Sequence, residues 1–269
     1  MKRKFQVYPL VMTILTYLPI AVVVIYSFNE SRLSSQWGGF SLKWYRELAR
    51  DRDIMNALVN SLILGALSSV FAAVLATSAA LGMKKSALPL KNAAEKLALA
   101  PLIIPEIVLG MVFLSFFSLL GLPFGMVTLV IAHTAFCVPY IYMQVKARLA
   151  VLEEGFTDAA RDLGANGPQA FFTVTLPLLS PAILSGMFLS FAMSFDDVII
   201  SIFVTGVSVN TLPIRVYTAL KTGVTPEINA LCTVMLAVTV LCYLLAALAR
   251  SLSKRNKIFT ITPKGGKTT

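Results

Sequence analysis

Residues 97–120 read LALAPLIIPEIVLGMVFLSFFSLL and residues 126–145 read MVTLVIAHTAFCVPYIYMQV, with only Gly121-Leu122-Pro123-Phe124-Gly125 between them. A single acidic residue, Glu106, interrupts the pair and no Lys or Arg does. An α-helix rises about 1.5 Å per residue, so about twenty apolar residues cross the roughly 30 Å hydrocarbon core of a bilayer. The spacing therefore predicts two spans, 97–120 and 125–145, closed into a hairpin by a Gly/Pro turn. A membrane β-barrel would show alternating ten-residue segments instead.

The same reading carried outward gives four more spans, near 7–28, 57–82, 178–205 and 229–249. Hydrophobic residues make up 57% of the chain, charged residues 13%, and the mean hydropathy is +0.79, well beyond an ordinary soluble domain. The expected fold is an all-α integral membrane protein of about six transmembrane helices, with residues 1–269 as one domain. Met1-Lys2-Arg3-Lys4 resembles the start of a signal peptide, but Phe5–Asn29 is uncharged, too long for an ordinary h-region, and lacks an Ala-x-Ala cleavage site. It is read as the first span.

Orientation follows from the connections. With the N-terminus cytoplasmic, the inner segments (1–6, 83–96, 146–177, 250–269) hold 16 of the 23 Lys and Arg, and the outer ones (29–56, 206–228) hold 7. Positive-inside bias predicts both termini in the cytoplasm and accounts for the net charge of +10 without a nucleic-acid partner. Cys137, Cys232 and Cys242 lie in apolar stretches without metal-ligand spacing, so neither a metal nor a disulfide framework is expected. Trp37, Trp44 and Tyr45 in the outer segment read first as an aromatic belt at the headgroups and second as a contact for an external partner.

The loop between the fourth and fifth spans, within 146–177, carries the most pattern: Glu153-Glu154-Gly155-Phe156-Thr157-Asp158-Ala159-Ala160-Arg161-Asp162-Leu163-Gly164-Ala165-Asn166-Gly167-Pro168. Asp158 suits the positive end of a helix, and Gly164 suits a helix stop, which predicts a short helix over 157–163. Asn166-Gly167-Pro168 then turns the chain, with Pro168 at the first position of a second helix. From the residues alone this is either a docking helix or an ordinary connection.

The segment resembles the cytoplasmic loop of binding-protein-dependent ATP-binding-cassette importer permeases: Glu-Ala-Ala, three residues, Gly, nine residues, Ile-x-Leu-Pro. Here Asp158-Ala159-Ala160 is followed at the same spacing by Gly164 and by Val174-Thr175-Leu176-Pro177. Asp for Glu and Val for Ile are the departures. The resemblance implies a type I importer permease in a bacterial inner membrane. By it, Asp158, Ala159, Ala160 and Gly164 shape a coupling helix that docks on an ATPase, and Leu176 and Pro177 anchor its return. It also implies a second homologous permease, two ATPase subunits and an extracytoplasmic binding protein as partners. The chain lacks a Gly-x4-Gly-Lys-[Ser/Thr] phosphate loop, so ATP hydrolysis is expected on a separate subunit, with no enzymatic site and no cofactor here.

Carboxylates at membrane depth face a cavity or a partner, so Glu106, Asp196 and Asp197 are the candidate substrate-path residues. Glu106 lies ten residues beyond Lys96, about 15 Å along a straight helix. Neighbours on a helix point about 100° apart, so at most one of Asp196 and Asp197 is expected to face a pore squarely, leaving the other as a cap or subunit contact. With no Lys or Arg at comparable depth, a cationic solute would supply the counter-ion. The other reading places the two aspartates near outer water and pairs Glu106 with a neighbouring subunit. Across most of its length, including Ser194-Phe195-Asp196-Asp197-Val198-Ile199-Ile200, the sequence is similar to the second permease subunit of spermidine/putrescine importers, which implies a polyamine. A related importer for another small solute and an ion-coupled secondary transporter are the alternatives. His133 has no carboxylate near it in sequence and is read as a hydrogen-bonded packing residue.

Overall fold

The computed structural model describes residues 2–31, 36–85, 91–152, 155–207, 209–221, 223 and 225–258. Glu153 and Glu154 of the loop, and the basic tail from 259 onward, lie outside the described residues. Twelve α-helices are found among them: α1 (Lys2–Tyr26), α2 (Lys43–Arg50), α3 (Arg52–Lys85), α4 (Lys91–Leu99), α5 (Glu106–Leu119), α6 (Met126–Leu149), α7 (Gly155–Asp162), α8 (Gly167–Ala170), α9 (Leu176–Asp196), α10 (Ile199–Val204), α11 (Leu212–Leu220) and α12 (Pro226–Ile258). No strand occurs among the described residues.

Four helical stretches are long and apolar enough to cross a bilayer: Arg52–Lys84, Met126–Leu149, Gly167–Asp196 and Pro226–Leu248. A bent pair, Lys91–Leu102 with Glu106–Leu119, has the length and composition of a broken span or a re-entrant loop, and the apolar stretch described in α1, Val11–Tyr26, is shorter. The expected all-α membrane fold is present, and the count of about six spans is not matched exactly among the described residues. Span 97–120 is broken: Pro101 ends α4 in a 3₁₀ turn (Ala100–Leu102), Pro105 takes φ −55°, ψ 136° before α5, and the two arms meet at 106°. Each proline removes a backbone donor and disfavours helix in the residue before it. The expected fifth span, 178–205, begins earlier at Gly167 and stops at Asp196, with α10 as a separate helix.

The chain forms two compact units, Met1–Ser61 with Val209–Thr239, and Leu62–Ser208 with Val240–Thr269. In the first, Asn29 is the hub of the segment after α1. Its side chain donates to Gln36 O (2.7 Å) and accepts from Gly38 N (2.8 Å), while its carbonyl accepts from Trp44 Nε1 (2.7 Å). Trp44 is only 4% exposed, so it faces inward rather than forming part of a headgroup belt. Tyr45 Oη and Ser27 Oγ are 2.7 Å apart, and Trp37 is exposed and meets Tyr26 edge-on. Ser61 Oγ accepts from Leu212 N (2.8 Å) and fixes the start of α11.

In the second unit α6 is the centre: Leu129, Ala132, Phe136, Cys137, Ile141, Tyr142 and Val145 are all buried. It packs against α9, where the close approach uses Gly186: a Cβ there would lie 3.1 Å from Ile141 Cα and 3.3 Å from its Cγ1 and Cγ2. Small residues let membrane helices approach in this way. Gly186→Ala is expected to destabilise by about 1 kcal/mol through overpacking. Gly82→Ala, where a Cβ meets nothing within 4 Å, should be neutral or stabilising. Thermal unfolding of the purified protein distinguishes the two signs, and equal shifts would discount the crossing as the cause.

Candidate functional site: the loop after α6 and a carboxylate cluster

The loop after α6 is built by local chemistry. Gly164 takes φ +91°, a left-handed conformation that glycine adopts without penalty. It lets Ala165 N reach Ala160 O (3.0 Å) and Gly164 N reach Arg161 O (2.8 Å), the paired bonds of a Schellman stop. The helix runs Gly155–Asp162, two residues earlier at its start than the expected 157–163. Asn166 and Gln169 then cap α8 reciprocally, with Gln169 N donating to Asn166 Oδ1 (2.9 Å) and Asn166 N donating to Gln169 Oε1 (3.0 Å). Pro168 takes the second helical position rather than the first.

Asp158 and Ala159 are exposed and Ala160 half-buried. Around them Phe156, Leu163 and Phe172 are exposed apolar groups, Leu163 at 90%. On the return, Pro177 cannot donate to Thr173 O, and the chain there is a π-helical segment, Phe171–Thr175, of the kind found at functional sites. Leu176 is half-buried, Pro177 exposed, and Arg148 Nε donates to Leu178 O (3.1 Å), tying the end of α6 to the start of α9. Pro181 would leave Pro177 O without its helical donor, and Ser180 Oγ supplies one at 2.9 Å.

The three carboxylates come together where helices end. Glu106 is the first residue of α5, Asp196 the last of α9, and Asp197 precedes α10. Glu106 lies within electrostatic range of both aspartates, and Tyr140 within range of Glu106. The break at Pro101–Pro105 replaces the straight 15 Å path from Lys96, so Glu106 opens a half-helix instead of lying along a full one.

Asp197 is turned inward, 7% exposed. Its Oδ2 accepts from Ser201 N (2.9 Å) and Ser201 Oγ (3.0 Å), and Oδ1 from Ile200 N (3.3 Å), so it caps α10. His133 is fully buried beside it, with Nε2 3.4 Å from Asp197 Oδ2 and 3.1 Å from Ser201 Oγ, and Nδ1 2.8 Å from Ser194 Oγ. Distance in sequence concealed this neighbour. Asp196, by contrast, is exposed and Glu106 half-exposed, and neither forms an ion pair among the described residues.

A family described as "Binding-protein-dependent transport system inner membrane component" matches residues 72–258. The chain is 40% identical over 227 residues to the putrescine transport system permease protein PotI of Escherichia coli K12, covering 82% of this chain and 81% of that one. It is 35% identical over 240 residues to the spermidine/putrescine transport system permease protein PotC of Haemophilus influenzae, covering 89% and 92%. A chain of a bacterial ABC transporter involved in the import of the acidic polysaccharide alginate shares the fold with a TM-score of 0.68 at 14% identity, covering 94% of this chain and 96% of that chain. The MetNI methionine ABC transporter, in inward-facing form, gives a TM-score of 0.54 at 20% identity, covering 79% and 100%.

Proposed function

The chain belongs to the family of binding-protein-dependent transport system inner membrane components, and on that premise we propose that it is the permease subunit of an ATP-driven polyamine importer. The observation that carries the solute class is the pair of unpaired carboxylates, Glu106 and Asp196, gathered at helix ends beside Tyr140. Carboxylates and an aromatic face are the groups that hold a polycation. Asp197 takes a different part in the same path: its oxygens are engaged by α10 and His133, so it positions the wall from which Asp196 projects.

In this reading α7 docks on a separate ATPase subunit through Asp158, Ala159, Ala160 and Gly164, with Leu176 and Pro177 holding the return. A second permease and an extracytoplasmic binding protein complete the importer, and both termini face the cytoplasm. Closure of the ATPases shifts α7 and switches access to the carboxylates from one side to the other.

The test is uptake of labelled spermidine and putrescine by cells lacking the chain, then complemented with wild type, Glu106→Gln or Asp196→Asn. Loss on deletion, return with wild type, and at least about tenfold lower uptake with either variant is expected from removing a charge-assisted contact. Unchanged uptake on deletion, in cells with no redundant importer, would remove the polyamine assignment. Uptake sustained by an ion gradient without ATP would point to a secondary transporter.

A further inference from the structure

Helices α5 and α10 both begin at the carboxylates and run side by side toward the hairpin. Glu106 opens α5 and Asp197 caps α10, while at the far end a Cβ on Gly206 would lie 2.5 Å from Phe124 O. Between these ends Gly110 makes the close contact. A Cβ on it would overlap Phe203 Cδ2 and stand 3.1 Å from Cε2 and 3.2 Å from Cγ. Gly110 is four residues beyond Glu106, so the two share a face of α5, the one turned to α10. Helix α10 is held at both ends: Asp197 and His133 bond Ser201 at its start, and Thr128 Oγ1 donates to Val204 O (2.8 Å) at its finish.

We propose that Gly110 is a positioning residue that sets the length of solute accepted: its bare backbone lets α10 close on α5, and this fixes the gap between Glu106 and Asp196, which leads into α10. The inference rests on the polyamine reading of those two carboxylates. Each carboxylate holds one ammonium through a charge-assisted hydrogen bond, so the gap between them selects the number of methylenes that separate the charges. A side chain at position 110 acts as a wedge. Because Phe203 Cγ is among the contacted atoms, turning the ring about its Cβ–Cγ bond does not clear the overlap, and a closely packed interior passes the strain on to the helix. The gap then widens, and a short diamine loses one of its two contacts before a longer polyamine does.

The experiment is initial-rate uptake of labelled putrescine and spermidine, per assembled importer, by cells lacking the chain and complemented with wild type, Gly110→Ala, Phe203→Ala or both. Gly110→Ala should raise the apparent KM for putrescine about fivefold and that for spermidine about twofold or less, with the maximal rates little changed. Phe203→Ala removes all three contacted atoms, so the double variant should return to the wild-type ratio. Alone, Phe203→Ala adds no bulk and should move the ratio toward putrescine, which decides the matter where Gly110→Ala does not assemble. Loss of packing without repositioning would lower uptake of both solutes together and leave their ratio unchanged. An unchanged ratio in every variant that assembles, beside normal wild-type uptake, overturns this inference and leaves the polyamine reading standing. Absence of wild-type uptake of either polyamine removes both.

Discussion

Replacing Gly164 with valine is expected to lower ATP-driven uptake about tenfold or more while the chain still inserts and assembles. No neighbour lies within 4 Å of where a Cβ would be, so the effect is not steric crowding from outside the turn. It comes from φ +91°, which costs an L-residue roughly 1–2 kcal/mol and a β-branched one more. To escape that strain the turn must give up the bonds to Ala160 O and Arg161 O, and α7 loses its fixed end. Gly164→Asn, which tolerates the left-handed region, should keep most of the uptake. Uptake per assembled complex in membranes measures both variants. Normal transport by the valine variant would remove α7 from the coupling role.

The second large effect separates two adjacent aspartates. Asp197→Ala is expected to destabilise the protein by about 3 kcal/mol, because Ile200 N, Ser201 N and Ser201 Oγ lose their acceptor in a buried site. Asp196→Ala removes an exposed side chain and should change stability by less than about 0.5 kcal/mol, yet depress uptake. Thermal unfolding and transport read together give opposite patterns for the two variants. A stable Asp197 variant beside an unfolded Asp196 variant would reverse the assignment of wall and solute contact.

Local chemistry was legible in the residues. The stop at Gly164, the turn at Asn166 and the hairpin at Gly121 depend on neighbours a few positions away, and the spacing from Asp158 to Pro177 could be read directly. Hydropathy, however, sums composition and carries no direction, so it joined two helices meeting at 106° into one span; Pro101 and Pro105 were the signal that they differ. The role of Asp197 was hidden because its partner, His133, comes from α6. Trp44 looked like an interfacial aromatic for the same reason: its acceptor, Asn29 O, lies before the helix that carries it. A carboxylate pair in sequence cannot reveal which member faces inward until α6, which carries His133, is packed against it.

The bend at Pro105 has a consequence for water. Helix α5 runs Glu106–Leu119, and fourteen residues span only about 21 Å, short of the roughly 30 Å hydrocarbon core. With its C-terminal end at the short hairpin loop, its first turn ends inside the membrane thickness. Pro105 O accepts from Val108 and Leu109, which leaves the N–H groups of Glu106 and Ile107 without an acceptor in the helix. Irregular backbone survives at such depth only where protein or a wet cavity surrounds it, and Glu106 is half-exposed there. Under the proposed polyamine reading, water at the break satisfies the N–H groups of Glu106 and Ile107, and an ammonium arriving there exchanges its hydration for the Glu106 carboxylate without passing through lipid.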